Sequence, residues 1–203
     1  RDDNFLQQKI AVKWSKKYPN KQGNEKFILK NKKKIKLGYF SSDFKGHAVA
    51  TLIKSLFINH NKEKFELYGF NLSKKYSKEN LDKKIIENFN GFFDCYEKKD
   101  SEIKRLCKSL NIDISIDLNG YTKESRSSIF RNRCSPIQIN YLGFPGTMGD
   151  EVYDYIIADK TVIPEEDIKN YSEKIIFMPN SFFPNSFKNE HLKTSLKKEE
   201  FLL

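Results

Sequence analysis

The stretch IKLGYFSSDFKGHAVATLIKSL, Ile35 to Leu56, constrains the fold most, because it reads as a buried strand, a polar turn and then a helix. The same alternation continues, with strands expected near 35–41, 65–71, 92–95 and 113–118 and helices near 49–59, 79–89 and 101–110. Further apolar runs follow in PIQINYLGF (136–144), VYDYIIAD (152–159) and KIIFMP (174–179). Strands that alternate with helical segments build βαβ units, whose crossovers are right-handed and whose strands are parallel. The pattern therefore predicts an α/β fold with a Rossmann-like, doubly wound parallel sheet. Such sheets bind ligands in the crevice beyond the carboxyl ends of their strands. Neither GxGxxG nor the Walker pattern is present, since Gly38 lies inside the first strand and Gly46 stands alone in the turn, which argues against a self-contained dinucleotide or P-loop site.

Two flanking segments have a different texture. Phe5, Ile10, Val12 and Trp14 recur at roughly helical intervals and predict an amphipathic N-terminal helix over 4–18. PNKQGNEKFILKNKKK, residues 19–34, has little periodicity and reads as a linker, and the stretch from Phe187 to Leu203 reads as the start of another element. The expected divisions are 1–34 for helix and linker, 35–186 for the domain and 187–203 for a truncated connection. With Arg1 rather than Met in first place, the chain is expected to be a piece of a longer one. Its 203 residues suffice for one good core, though not for two full α/β lobes.

A formal charge of +10 and a pI near 9.3 favour phosphate-bearing partners. The excess is mostly Lys spread over polar faces and Arg is scarce, so nucleic acid is not the expected partner. Cys95, Cys107 and Cys134 have neither CxxC spacing nor a nearby His, which indicates neither a zinc site nor a disulfide framework. Reduced thiols, no signal peptide at the start and no apolar run approaching about 20 residues point to a cytoplasmic protein that does not span a membrane. The sequons at Asn71 and Asn170 carry no weight without a secretory signal.

Ionisable and turn-forming residues collect where the predicted strands end. Asp43 and His47 follow the first strand, and a His beside a carboxylate exchanges protons in the physiological range; the alternative is a turn capped by Asp43 with His47 merely exposed. Ser41 and Ser42 do not lie in a GxSxG elbow. DLNGYTKESR places Tyr121, Thr122 and Lys123 after another strand, either as site groups or as an ordinary loop with Glu124 opening a helix. In YLGFPGTMG, Gly143 and Gly146 bracket Pro145 and allow close backbone approach, either for an oxygen-rich ligand or for a turn. His60 and His191 read as surface positions.

The segments IKLGYFSSDFKGHAV, DLNGYTK, SPIQINYLGFPGTMG, VYDYIIAD and YSEKIIFMPNSFFP, in this order and spacing, resemble the catalytic region of the O-linked N-acetylglucosamine transferases over Ile35 to Pro184. The plant SPINDLY-type protein O-fucosyltransferases are similar over the same region. The resemblance implies a superhelix of tetratricopeptide repeats followed by two Rossmann-like lobes of GT-B type, with this chain as the first lobe and the N-terminal helix as the joint.

Carried over position by position, His47 matches the active-site histidine and Asp43 the aspartate considered as proton acceptor. Tyr121, Thr122 and Lys123 match a loop lining the cleft, and Leu142, Gly143 and Pro145 match the segment whose backbone contacts the sugar. Ala48, Val49 and Phe144 depart from the usual proline, threonine and tyrosine. The implied reaction is an inverting transfer of N-acetylglucosamine from UDP-N-acetylglucosamine to Ser or Thr hydroxyls of acceptor proteins. It implies no metal and no cofactor beyond the nucleotide-sugar co-substrate. The family's diphosphate-binding groups lie in the second lobe, so this chain alone is expected to be inactive. The alternatives are a GDP-fucose donor, or a basic Rossmann-like module that binds without catalysis.

Overall fold

A computed structural model describes residues 3–17, 33–73 and 82–184. After helix α1 (Asn4–Lys17), the chain runs β1 (Ile35–Ser41), α2 (Ala48–Asn59), β2 (Phe65–Asn71), α3 (Lys83–Ile86), β3 (Gly91–Asp94) and α4 (Asp100–Leu110). It continues through β4 (Ile114–Asp117), α5 (Ser128–Arg131), β5 (Ile137–Tyr141), β6 (Tyr155–Ala158), a 3-10 helix (Glu165–Asn170) and β7 (Lys174–Phe177). Every pairing is parallel, in the order β3-β2-β1-β4-β5-β6-β7. The winding reverses between β1 and β4, so the crevice that such sheets offer to ligands opens there.

Parallel strands covered on both faces read as continuous apolar runs, and β1 shows why. Its residues from Leu37 to Ser41 are all buried. Tyr39 joins Phe44, Ile53 and Phe57 on one face, while Phe40 joins Phe70, Ile103 and Phe130 on the other. Phe40 stacks on Phe70 at 4.3 Å between ring centroids and meets Phe130 edge-on at 5.2 Å. Full burial of such a ring contributes about 1.5–3 kcal/mol, so β1 carries a large share of both cores.

Beyond β7 the chain turns back over the strand ends. The Phe182 N–H donates to Asp159 Oδ2 (2.8 Å), the Tyr141 hydroxyl to the Phe182 carbonyl (2.7 Å) and the Ser55 hydroxyl to the Pro184 carbonyl (2.6 Å). This return segment ends against α2.

Several expectations are corrected. The helix expected over 79–89 is short, α3, because the Asp82 carboxylate caps it through the Lys84 N–H and Asn90 then bonds Leu67 to lead into β3. Helix α1 does not pack by its large apolar residues: Phe5, Ile10 and Trp14 remain 55%, 60% and 45% exposed, while Ala11 and Ser15 are buried. Small residues let the helix backbone approach Gly149, whose φ is +79° and where a Cβ would overlap Ala11 and Val12. Glu124 opens no helix, since its φ is +63° and α5 begins at Ser128. His60 is half-buried, with Nε2 2.8 Å from the Tyr39 hydroxyl. His191, the 187–203 connection, the last residue of the expected helix (18) and residues 19–32 of the linker lie outside the described residues. Among the described residues no helix is long and apolar enough to cross a membrane.

Burial lowers the His60 pKa. The folded protein therefore resists protonating this ring, whereas the unfolded chain takes the proton near the ordinary value of about 6.5. The stabilisation is complete above that value and is lost as pH falls from there through the folded-state pKa. Urea unfolding at pH 8 and pH 5 is expected to show a smaller acid-side loss for His60→Gln than for the parent; equal losses would contradict this.

Candidate functional site

The site is built from the three loops that leave β1, β4 and β5. At the end of β1 the Ser41 hydroxyl accepts the Asp43 N–H (2.9 Å), turning the chain so that the Asp43 carboxylate lies over the switch point. From β4, Asn119 reaches across. Its Oδ1 accepts the Ser42 N–H (2.9 Å), and its Nδ2 donates to the Ser42 hydroxyl (3.0 Å) and to Asp43 Oδ2 (2.7 Å). Asn119 is itself held by Asp117, whose Oδ1 accepts the N–H groups of Asn119 and Gly120 and whose Oδ2 accepts the Tyr153 hydroxyl (2.6 Å). Burial pushes the Asp117 carboxyl upward, while the Tyr153, Asn119 and Gly120 donors pull it back. A line of hydrogen bonds thus runs from Tyr153 to Asp43.

His47 sits one residue before α2 in extended conformation and caps it. Its Nδ1 accepts the Val49 N–H (3.3 Å), so the neutral ring carries its proton at Nε2. Asp43 Oδ2 lies 3.8 Å from the same Nδ1, and the two side chains are 13% and 47% exposed, the carboxylate being the sheltered partner. The helix cap is therefore His47 and not Asp43. With Ala48 in place of proline, this cap sets the helix entry.

A cleft of about 310 Å³ is lined by Asp43, Lys45, His47, Val49, Thr122, Lys123, Glu124 and Gly143. Its mouth is bridged by Lys45 and Glu124, 3.7 Å apart. The Thr122 hydroxyl donates to the Asn119 carbonyl (3.0 Å), which ties the lining to the Asp43 anchor. Leu142 has a φ of +76° and is buried, and a Cβ on Gly143 would overlap the Leu118 carbonyl oxygen. Only glycine lets the β5 loop press this closely against the exit of β4.

The structure thus brings Asp43, His47, Thr122, Lys123 and Gly143 together on one cleft. Tyr121, Leu142 and Pro145 lie beside it. Tyr121 lines an adjoining groove of about 410 Å³ with Gln7, Ile10, Ala11 and Trp14 of α1 and with Thr122, Ser125 and Phe144. Its hydroxyl donates to the Met148 carbonyl (2.8 Å), and burial pushes its pKa up to about 12. Pro145 is exposed, and its carbonyl accepts the Tyr171 hydroxyl (3.0 Å). Asn119, Asp117 and Tyr153 were not among the expected site residues. Asn119-Gly120 signals a turn and conceals the anchoring amide, and the separation of 36 residues leaves no local sign that Tyr153 meets Asp117.

The model of glycosyl transferase family 41 matches residues 1–200. Over 159 residues the chain is 36% identical to a probable UDP-N-acetylglucosamine–peptide N-acetylglucosaminyltransferase SEC of Arabidopsis thaliana, covering 78% of this chain and 16% of that protein. Over 164 residues it is 33% identical to the UDP-N-acetylglucosamine–peptide N-acetylglucosaminyltransferase of Caenorhabditis elegans, with coverage of 78% and 14%. A probable UDP-N-acetylglucosamine–peptide N-acetylglucosaminyltransferase SPINDLY of Arabidopsis thaliana is 25% identical over 150 residues, with coverage of 73% and 16%. The chain therefore spans only 14 to 16% of the length of these curated relatives. An O-GlcNAc transferase mutant of Thermobaculum terrenum has a similar fold, with a TM-score of 0.83 at 20% identity over 92% of this chain and 36% of that one.

The Asn119 anchor has a measurable signature. Asn119→Asp sets a second carboxylate against Asp43, and two such groups in contact cannot both ionise freely, so the shared proton is held to higher pH than in the unfolded chain. The stability of this variant is expected to fall as pH rises through that folded-state pKa. Denaturant titrations should show it about 1–3 kcal/mol less stable than the parent at pH 8, and closer to it at pH 5; a deficit that does not change with pH would remove Asp43 as its neighbour.

Proposed function

The chain belongs to glycosyl transferase family 41, and on that premise we propose that it forms the first Rossmann-like lobe of an inverting protein O-glycosyltransferase, which moves N-acetylglucosamine from UDP-N-acetylglucosamine to Ser or Thr hydroxyls of acceptor proteins. The observation that carries this reading is the convergence of Asp43, His47 and the Gly143 backbone on one cleft at the β1/β4 switch point. In this reading a tetratricopeptide-repeat region precedes α1, and a second lobe supplies the rest of the nucleotide site.

The acceptor oxygen attacks the anomeric carbon as the bond to UDP breaks on the opposite face. The hydroxyl proton needs an acceptor, and Asp43 is assigned that role, directly or through one water. Its carboxylate is sheltered and fixed by the Asn119 amide, so it meets the reacting group without reorganising. His47 is assigned the donor role: with Nδ1 committed to the Val49 N–H, the neutral ring presents an N–H at Nε2 towards the reacting groups. Lys123, and Lys45 paired with Glu124, add charge to the cleft wall, the diphosphate is left to the second lobe, and the close β5 loop holds the sugar for alignment. The three free buried cysteines support a reducing compartment such as the cytoplasm.

A GDP-fucose donor is the second reading, raised by the sequence resemblance to the SPINDLY-type O-fucosyltransferases; the matched SPINDLY protein, at 25% identity against 36% for the SEC protein, is itself named for UDP-N-acetylglucosamine. The test is a transfer assay on the full-length protein with each donor offered separately. Transfer from UDP-N-acetylglucosamine is expected, with kcat/KM falling by about 10²-fold or more in His47→Ala and in Asp43→Asn. Transfer from GDP-fucose alone would replace the donor. A folded protein that transfers neither sugar, yet binds anionic partners with an affinity that falls steeply with salt, would establish the non-catalytic module instead.

A further inference from the structure

The β5 loop, residues 142–149, has an uncommon backbone. Leu142 is in the left-handed region at φ +76°, and Gly149 has a φ of +79°. A non-glycine residue in that region costs free energy and persists only where its surroundings hold it. Asn140 Nδ2 donates to the Phe144 carbonyl (2.9 Å) and to the Gly146 carbonyl (3.3 Å), and on the outer side the Ser15 hydroxyl of α1 shares its one proton between the Val12 carbonyl (2.9 Å) and the Gly149 carbonyl (3.3 Å). The strongest hold comes from the residues just before β7. Glu173 is 5% exposed; its Oε1 accepts the Met148 N–H (2.7 Å) and its Oε2 accepts the Thr147 hydroxyl (2.8 Å). Thr147 Oγ1 in turn accepts the N–H groups of Gly149 (3.1 Å) and Ser172 (3.2 Å), so its single proton is committed to Glu173.

We infer that Glu173 is a positioning residue for the donor sugar, acting through the Thr147–Met148 backbone to set the loop whose Gly143 end borders the cleft. Glu173 is not in the cleft wall and touches no group placed there. A carboxylate taken out of water is costly unless its hydrogen bonds are made, and an apolar residue would fill the same space at less cost. Two acceptor oxygens directed at consecutive residues are what an apolar side chain lacks. Burial pushes the Glu173 carboxyl upward, and the Met148 and Thr147 donors work in the opposite direction. The inference rests on the reading that this loop contacts the sugar of a nucleotide-sugar donor.

The test compares, by calorimetry on the full-length protein, the affinities for UDP-N-acetylglucosamine and for UDP, which lacks the sugar. In Glu173→Ala, which removes both bonds, the Kd for UDP-N-acetylglucosamine is expected to rise about tenfold while that for UDP stays within about twofold. Glu173→Gln keeps an acceptor for the Met148 N–H and is expected to recover most of the difference. Thr147→Val keeps the Glu173–Met148 bond but removes the Glu173 Oε2 bond and the acceptor for the Gly149 and Ser172 N–H groups, is expected to raise the Kd for UDP-N-acetylglucosamine while leaving that for UDP within about twofold, and carries the test if the alanine variant does not fold. Kd values that move together, or that do not move, or a glutamine variant as poor as alanine, would overturn the inference. Transfer by the parent enzyme is read separately, so that its absence counts against the proposed function and the Kd ratio against Glu173.

Discussion

The geometry of the site depends on the Asn119 side chain. Parallel pairing brings β1 and β4 side by side with Phe40 opposite Asp117, yet pairing alone leaves the two exits free to diverge. Asn119 closes that gap by meeting a backbone N–H, a hydroxyl and a carboxylate of the neighbouring loop at once. An amide suits this place because it offers an acceptor and a two-proton donor on one planar group, whereas a carboxylate has no proton to give Asp43. The group is almost fully buried, so its bonds act in a poorly screened environment and are expensive to leave unmade.

From that tie the division of labour between His47 and Asp43 follows. The imidazole serves the fold through Nδ1, which leaves Nε2 for the donor role proposed for it, while the carboxylate is steadied from behind by an uncharged donor. The β5 loop is set by different means, between the small residues of α1 on one side and the YSE stretch before β7 on the other.

Much of this was legible in the chain. The β1 and β2 segments are where the apolar runs place them, because strands buried on both faces leave continuous apolar stretches. That Asp43, His47 and Gly143 meet at one edge of the sheet was legible because they stand at strand ends. What sequence periodicity did not show was which face of α1 packs: the large residues mark an apolar helix, but close approach to Gly149 selects Ala11 and Ser15. It also did not show His60 against Tyr39, or Tyr153 against Asp117, since a hydrogen bond between distant positions leaves no local periodicity.

The return segment beyond β7 has a mechanical meaning. Phe182 is fastened at its N–H to Asp159 and at its carbonyl to Tyr141, and Pro184 is fastened to Ser55 of the helix that His47 caps. The chain therefore leaves the sheet from a clamped pivot beside α2 rather than from the outer edge at β7. The fastening at Pro184 is to α2, so a pull along the chain at Pro184 bears on the helix that His47 caps as well as on the sheet.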